Sequence, residues 1–271
     1  MKKVLLINCF IQNSSKNSNL LEDKRTCLFL YFLMSFKFVK IDFSFVSINV
    51  ELEKHNTKTI KAIEQIAKSI FKKLEFKNKR FVNHKQWLEF CKSSKKFLNK
   101  DIIFYFGNDD HLYFNKDKNF LRKCLEDFEI FLKNNNNYNF SLHLSHFQEN
   151  INRFTFKYQQ KFSTNYLYGK NCNNALWALD SIQVTTFQVF RYWWEKNNLK
   201  GFWLPRTDPP SRIKINSTFI KSPKYLVIFV PKKEIFRHAD AYHHHKLGIP
   251  LKYLPAIKLN ETAKININKF L

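Results

Sequence analysis

Five apolar residues, Ile102-Ile103-Phe104-Tyr105-Phe106, run without a break into Gly107 and then into Asn108-Asp109-Asp110-His111. An apolar run of that length, closed by a turn residue, reads as a buried strand. Its polar tail then falls at the strand's carboxyl end, where open α/β sheets hold their ligands. The carboxylate and amide oxygens there are hard donors suited to Mg²⁺ or Mn²⁺. In a strand or open turn, Asn108 and Asp110 project to the same side. The bland alternative is an Asx-rich turn with solvated carboxylates, and the strand in front of it weighs against that.

A chain of 271 residues is long enough for one α/β domain with a substantial core. The net charge of +24 draws anionic partners: nucleotides, anionic lipid surfaces, nucleic acids. Lysine supplies nearly all of it, and Asn and Phe are abundant while Gly is scarce, a pattern that A+T-rich coding also produces. Cys9, Cys27, Cys91, Cys124 and Cys172 are scattered without CxxC pairing, which points to reduced thiols in a cytosolic protein. The apolar stretch Cys27–Val39 is too short to span a bilayer. Val4–Ile7, behind two lysines, reads as a first buried strand rather than a signal peptide.

Along the chain, Arg25–Phe38 reads as a very apolar, buried helix and Ile41–Val50 as a second strand. Ile60, Ile63, Ile66, Ala67, Ile70 and Leu74 follow the helical period, predicting an amphipathic helix over Thr57–Leu74 with lysines outward. Asn83 and Gln86 suggest the start of a helix through Leu98. Asp117 is placed to cap a helix over Phe120–Leu132, which the Asn134–Asn137 run ends. Strands are expected at Phe140–Leu144, Leu179–Val184 and Tyr225–Val230. Helices are expected at Thr185–Lys196 and, opened by Pro231, at Lys232–His243. Glu149–Cys172 shows no period, and Leu204–Arg212, with three prolines, reads as a loop. Strands alternating with helices favour a mostly parallel central sheet with helices on both faces. We expect a single domain over 1–271, with residues 1–135 binding the ligand and 136–271 an acceptor.

Three further groups carry candidate chemistry. The polar loop from Asn8 to Arg25 follows the first strand, a usual place for a nucleotide, although GxGxxG and GxxxxGK[ST] are absent. The proline-stiffened Leu204–Pro209 presents Arg206 and Asp208. The cluster Arg237-His238-Ala239-Asp240-Ala241-Tyr242-His243-His244-His245 suits phosphate or metal binding. A surface turn and solvated histidines are the plain alternatives for the last two.

The order of features resembles the GT-A glycosyltransferases, with a short first strand, a second strand after an apolar helix, and a third ending in acidic residues before a helix. Phe106-Gly107-Asn108-Asp109-Asp110-His111 looks like the family's DxD motif, which holds a divalent metal on the diphosphate of a nucleotide sugar. Leu179–Gln183, Leu204–Asp208 and Arg237–His244 are similar to segments of bacterial surface-polysaccharide transferases. The resemblance implies a GT-A-like (Rossmann-like) α/β fold, a nucleotide-sugar donor, Mn²⁺ or Mg²⁺, and a glycan or lipid-linked acceptor. The first motif position is Asn108, an amide and a weaker ligand, so Asp110, Asp109 and His111 are the metal candidates. Asn8, Arg25, Asn108, Asp109, Arg237 and His238 become donor-binding candidates. Asp208 is the candidate base on the acceptor hydroxyl, with Asp180 and Asp240 behind it.

Two other classes compete. The charge and the Asp/His residues would suit a nucleic-acid-binding protein or metal-dependent nuclease, but no recognisable nucleic-acid module appears and the charge is lysine-dominated rather than arginine-rich. A non-catalytic envelope-assembly protein of the same fold is the other. The transferase reading implies a cytoplasmic protein with peripheral contact at an anionic inner-membrane surface.

Overall fold

The structure is a computed structural model that describes residues 1–11, 24–39, 41–78, 97–106, 111–113, 115, 117–135, 139–142, 144, 164–172, 176–178, 182–196, 219–221 and 225–238. Twelve strands are described: β1 (Lys3–Ile11), β2 (Phe45–Leu52), β3 (Leu74–Lys77), β4 (Ile102–Phe106), β5 (His111–Tyr113), β6 (Phe140–Leu142), β7 (Leu167–Cys172), β8 (Leu176–Ala178), β9 (Ile182–Thr186), β10 (Phe219–Lys221), β11 (Leu226–Pro231) and β12 (Phe236–His238). The α-helices are α1 (Lys24–Ser35), α2 (Thr57–Ile70), α3 (Phe120–Lys133) and α4 (Phe187–Lys196); a 3₁₀ turn, Phe36–Phe38, extends α1.

Eight strands form one sheet in the order β3-β2-β1-β4-β9-β6-β11-β7. The pairs β3–β2, β2–β1, β1–β4 and β6–β11 are parallel. β9 is antiparallel to both β4 and β6, and β7 is antiparallel to β11. The sheet is therefore mixed, parallel in its first half as the strand–helix alternation predicts and interrupted in its second. β9 enters between β4 and β6 because its partners come from distant parts of the chain, which no local pattern records.

Helices cover both faces. Alternate residues of β1 separate cleanly: Leu5, Ile7, Cys9 and Ile11 join a large core with residues of α1, α2 and α3. Val4 and Leu6 join Ile103, Tyr105, Phe187 and Phe190 in a second core under α4. β4 lies between β1 and β9 and is buried on both sides, which is why it reads as an unbroken apolar run. Each large side chain withdrawn from water here contributes about 1.5–3 kcal/mol.

α1 is apolar all round because it is enclosed: it packs on β1, on α2 and on β5. α2 buries Ile60, Ile63, Ile66 and Ala67 and is capped by Asn56, whose side chain accepts a hydrogen bond from the Thr59 N–H at 3.0 Å. Such a cap is worth about 1 kcal/mol. α3 starts as expected but with another cap residue. Asn119 holds the N-cap position without a side-chain bond. Asp117 instead accepts the Asn119 N–H on its carboxylate and the Phe120 N–H on its carbonyl. The Asn119 N–H, then Lys123, hold the Asp117 carboxyl below its ordinary range.

Several expectations are corrected. The helix predicted over Lys232–His243 is not formed where the chain is described: Pro231 closes β11 opposite Leu167, and Phe236–His238 is a strand. The helix from Thr57 stops at Ile70, and Leu74 opens β3. Thr185 and Thr186 end β9 rather than begin a helix. β7, β8 and β10 carry no period that sequence reading could find. The predicted helix start at Asn83 lies outside the described residues. Among the described residues, no helix is long and apolar enough to cross a membrane.

Candidate functional site

The sheet changes direction of assembly at β1. The chain places β2 and then β3 on one side of β1, and β4 on the other. In open α/β sheets, the crevice outside the carboxyl ends of the two strands at such a reversal is the ligand position. Here those strands are β1 and β4.

The edge at this point is stepped. The β1–β4 register ends at Ile7↔Phe106, while β1–β2 pairing continues through Asn8↔Asn49 to Ile11↔Leu52. Four residues of extended chain rise about 13 Å, so β1 and β2 stand as a wall beyond the end of β4. The segment Gly107–Asp110 follows Phe106 in the chain and leads into β5; its own placement, and that of Asn108, Asp109 and Asp110, lies outside the described residues.

A ribbon of two strands closes the step on the α1 side. β12 pairs antiparallel with β5 in the register Phe236↔Tyr113, Arg237↔Leu112, His238↔His111. The ribbon is held by rings: Phe236 meets Phe106 at 5.5 Å, Tyr113 at 5.8 Å and Phe36 at 6.3 Å, and Phe32 meets Phe106 at 5.2 Å. Asn115 adds a bond from its side-chain N–H to the Glu234 carbonyl at 2.6 Å. The Tyr113 hydroxyl donates to the Asp117 carbonyl at 2.9 Å. Burial, then the nearby Asp117 charge, push the Tyr113 phenol up to about 12. The apolar anchor thus fixes the backbone of His111, Arg237 and His238 beside the carboxyl end of β4.

Asn8 is placed by β1 at the foot of the wall, fully buried. Its Oδ1 accepts a hydrogen bond from Asn49 Nδ2 at 3.0 Å, and it hydrogen-bonds with Tyr105 on the other flanking strand. Burial raises the Tyr105 phenol far above its ordinary range, with the Asn8 bond partly offsetting it. Both side chains are neutral, so this polar rung ties β4, β1 and β2 together without carrying charge. Its geometry is that of a floor rather than of a group reaching toward a ligand.

The remaining candidates are placed as follows. Arg25 lies in the first turn of α1. Asp180, Asp208 and Asp240 lie outside the described residues. Among the described residues, no three His, Cys, Asp or Glu side chains gather where a metal ion would fit; Asp109 and Asp110 are not in that set. Cys9 and Cys124 are buried free thiols, and burial raises the Cys124 thiol above its ordinary range.

Sequence reading missed Asn49, Tyr105 and Tyr113 as parts of the site's frame. Tyr105 was hidden inside an apolar run. The one available signal was the alternation of β2, which puts Ser47 and Asn49 on one face of the strand. Another carboxylate, Asp101, is buried at the opposite edge of the sheet, where it accepts the Lys2 N–H at 2.7 Å and the Leu98 N–H at 2.8 Å; it is an anchor for the start of β4.

No protein-family model matches the sequence, and no curated protein matches it at a significant level.

Proposed function

We propose that the protein is a GT-A-like glycosyltransferase that moves a sugar from a nucleotide-sugar donor to a glycan or lipid-linked acceptor of surface-polysaccharide synthesis. The observation that carries this reading is positional. The one stretch with Asn, two Asp and His in succession follows the central strand β4 at the topological reversal of the sheet. The β5–β12 register supports it further, because it sets Arg237 and His238 against the strand that continues from that stretch.

The carboxylates of Asp109 and Asp110 suit a hard divalent cation, and with His111 they are the residues that would hold Mg²⁺ or Mn²⁺. Such an ion supplies Lewis-acid neutralisation of the diphosphate. In this reading Arg237 and His238 offset the negative charge that grows on the leaving diphosphate. Asp208 takes the proton of the acceptor hydroxyl, with Asp180 and Asp240 as the other candidate bases. The wall of β1 and β2 limits water on one side of the donor, and the aromatic anchor under β5 and β12 holds the opposite side.

The test is a thermal-shift screen of nucleotide sugars with Mn²⁺ and with EDTA, followed by turnover of any donor that binds. A ligand that binds only the native state raises the melting temperature. A UDP- or GDP-sugar should stabilise the protein, more so with Mn²⁺, and should be consumed when an acceptor is supplied. Stabilisation equal in EDTA would remove the metal assignment and leave phosphate neutralisation to Arg237 and His238. Binding without consumption across acceptors would favour the non-catalytic alternative, and no binding of any donor would overturn the proposal.

A further inference from the structure

The wall of β1 and β2 opens at one level. Beyond its first residue, every position of β1 is buried except Phe10, and every position of β2 is buried except Glu51. Both are half-buried, and they are register partners. They also share a face. Leu5, Ile7, Cys9 and Ile11 of β1 and Val46, Ile48, Val50 and Leu52 of β2 enter the large core, so alternation turns Phe10 and Glu51 to the other side. Asn8 and Asn49 stand one level below them on that side, bonded to each other at 3.0 Å.

The two side chains ask for different things. Among the described residues, the Phe10 ring belongs to neither core and meets no other ring. A half-exposed ring on a rigid strand offers a flat apolar surface for a planar ligand to stack on. The Glu51 carboxylate accepts hydrogen bonds and donates none, so what it takes must carry donors. Neighbouring strands lie about 4.8 Å apart, which sets a stacked ring and a donor-bearing group side by side. A nucleoside has both, in its base and in the paired hydroxyls of its ribose.

Position and charge agree with this. Phe10 lies three residues beyond Ile7, the partner of Phe106, and so about 10 Å past the end of β4. That is the carboxyl edge at the topological reversal, and a nucleoside diphosphate spans the interval. On the same face Lys77 of β3, opposite Asn49 in register, is held by Glu75 at 3.0 Å. Past Leu52, the last pair of the register, Glu53, Lys54 and His55 are exposed. A carboxylate repels phosphate, so Glu51 orients the ligand with its diphosphate away from the wall and toward β4. We propose that Phe10 and Glu51 form the nucleoside subsite of the donor pocket, with the base stacked on Phe10 and the ribose hydroxyls donating to Glu51. This inference rests on the transferase reading and adds to it the part of the donor that β1 and β2 select.

The experiment is calorimetric titration of the full chain with UDP, GDP, their 2′,3′-dideoxy counterparts and pyrophosphate, all with Mn²⁺. Wild type is compared with Glu51→Ala, Phe10→Leu and, as a control just beyond the register, Glu53→Ala. Circular dichroism checks that each variant folds. Hydrogen bonds to a charged group set the expected ribose preference, so wild type should bind UDP or GDP about ten- to a hundredfold more tightly than the dideoxy form. Glu51→Ala should bind the two forms alike, at the dideoxy level. Phe10→Leu should weaken both forms about fivefold or more. Glu53→Ala should match wild type, and pyrophosphate should bind all four proteins equally. A ribose preference that survives in Glu51→Ala overturns this inference alone, as does unchanged nucleotide affinity in Phe10→Leu. Loss of pyrophosphate binding in step with nucleotide binding makes the pair structural and overturns it as well. Wild type that binds neither nucleotide overturns the transferase reading and this inference with it.

Discussion

The ring of Phe236 stands edge-on to the ring of Phe106 at 5.5 Å, tying the second strand of the small ribbon to the last residue of β4. Both side chains are about fully buried, and Phe236 also touches Tyr113 and Phe36. Phe236→Ala should therefore cost about 3–5 kcal/mol, as large-to-small core changes do. Urea unfolding measures this. A loss below about 1 kcal/mol, the size of a surface change, would show that the ribbon is not anchored through this ring.

Asp110→Ala should abolish transfer and weaken donor binding while the melting temperature without donor stays near wild type. A carboxylate beyond the end of a strand contributes little packing, whereas neutralising a diphosphate depends on it directly. Asp109→Ala should be impaired less. Calorimetric titration of the donor and turnover separate the outcomes. Wild-type turnover in both variants removes the metal motif, and unfolding of both assigns the segment to a structural Asx turn.

Asn8 offers a choice between floor and ligand contact. Asn8→Leu leaves the buried Asn49 amide without its acceptor at that position, which costs about 1–3 kcal/mol. The double variant Asn8→Leu/Asn49→Leu should recover part of the loss, since both partners become apolar. Denaturant unfolding of the two singles and the double gives the coupling. Unchanged stability in Asn8→Leu, joined to lost donor affinity, would instead make Asn8 a ligand contact.

Tyr113 predicts a pH dependence. Its phenol rises from an ordinary 10.0 to about 12 in the folded chain, chiefly through burial. Between those values the unfolded chain has released the proton and the folded chain retains it, so unfolding releases protons and stability falls as pH rises. The contribution is complete below about 10 and gone above about 12. Tyr113→Phe should lack this decline, so the wild type should lose stability relative to the variant across that window. Unfolding free energies measured at stepped alkaline pH give the comparison, and parallel curves would place the Tyr113 phenol in water.

The chain's local chemistry determined what depends on neighbours in sequence. Ile102–Phe106 is β4 with the expected bounds, because a strand covered on both faces must be apolar at every position. α2 begins at Thr57 because its isoleucines repeat with the helical period, and α1 is apolar all round because it is enclosed. Tertiary structure decided what depends on distant partners. Pro231 suits the start of a helix, yet it closes β11 because Leu167 of β7 lies opposite it. Three-residue strands such as β5 and β12 are too short to show a period, and each exists because the other pairs with it. The candidate site divides the same way. The succession Asn108-Asp109-Asp110-His111 was legible in one stretch of chain. That His238 stands opposite His111, and that Asn8 is bonded between Tyr105 and Asn49, follows only from pairings between residues far apart in sequence, whose register the folded sheet alone sets.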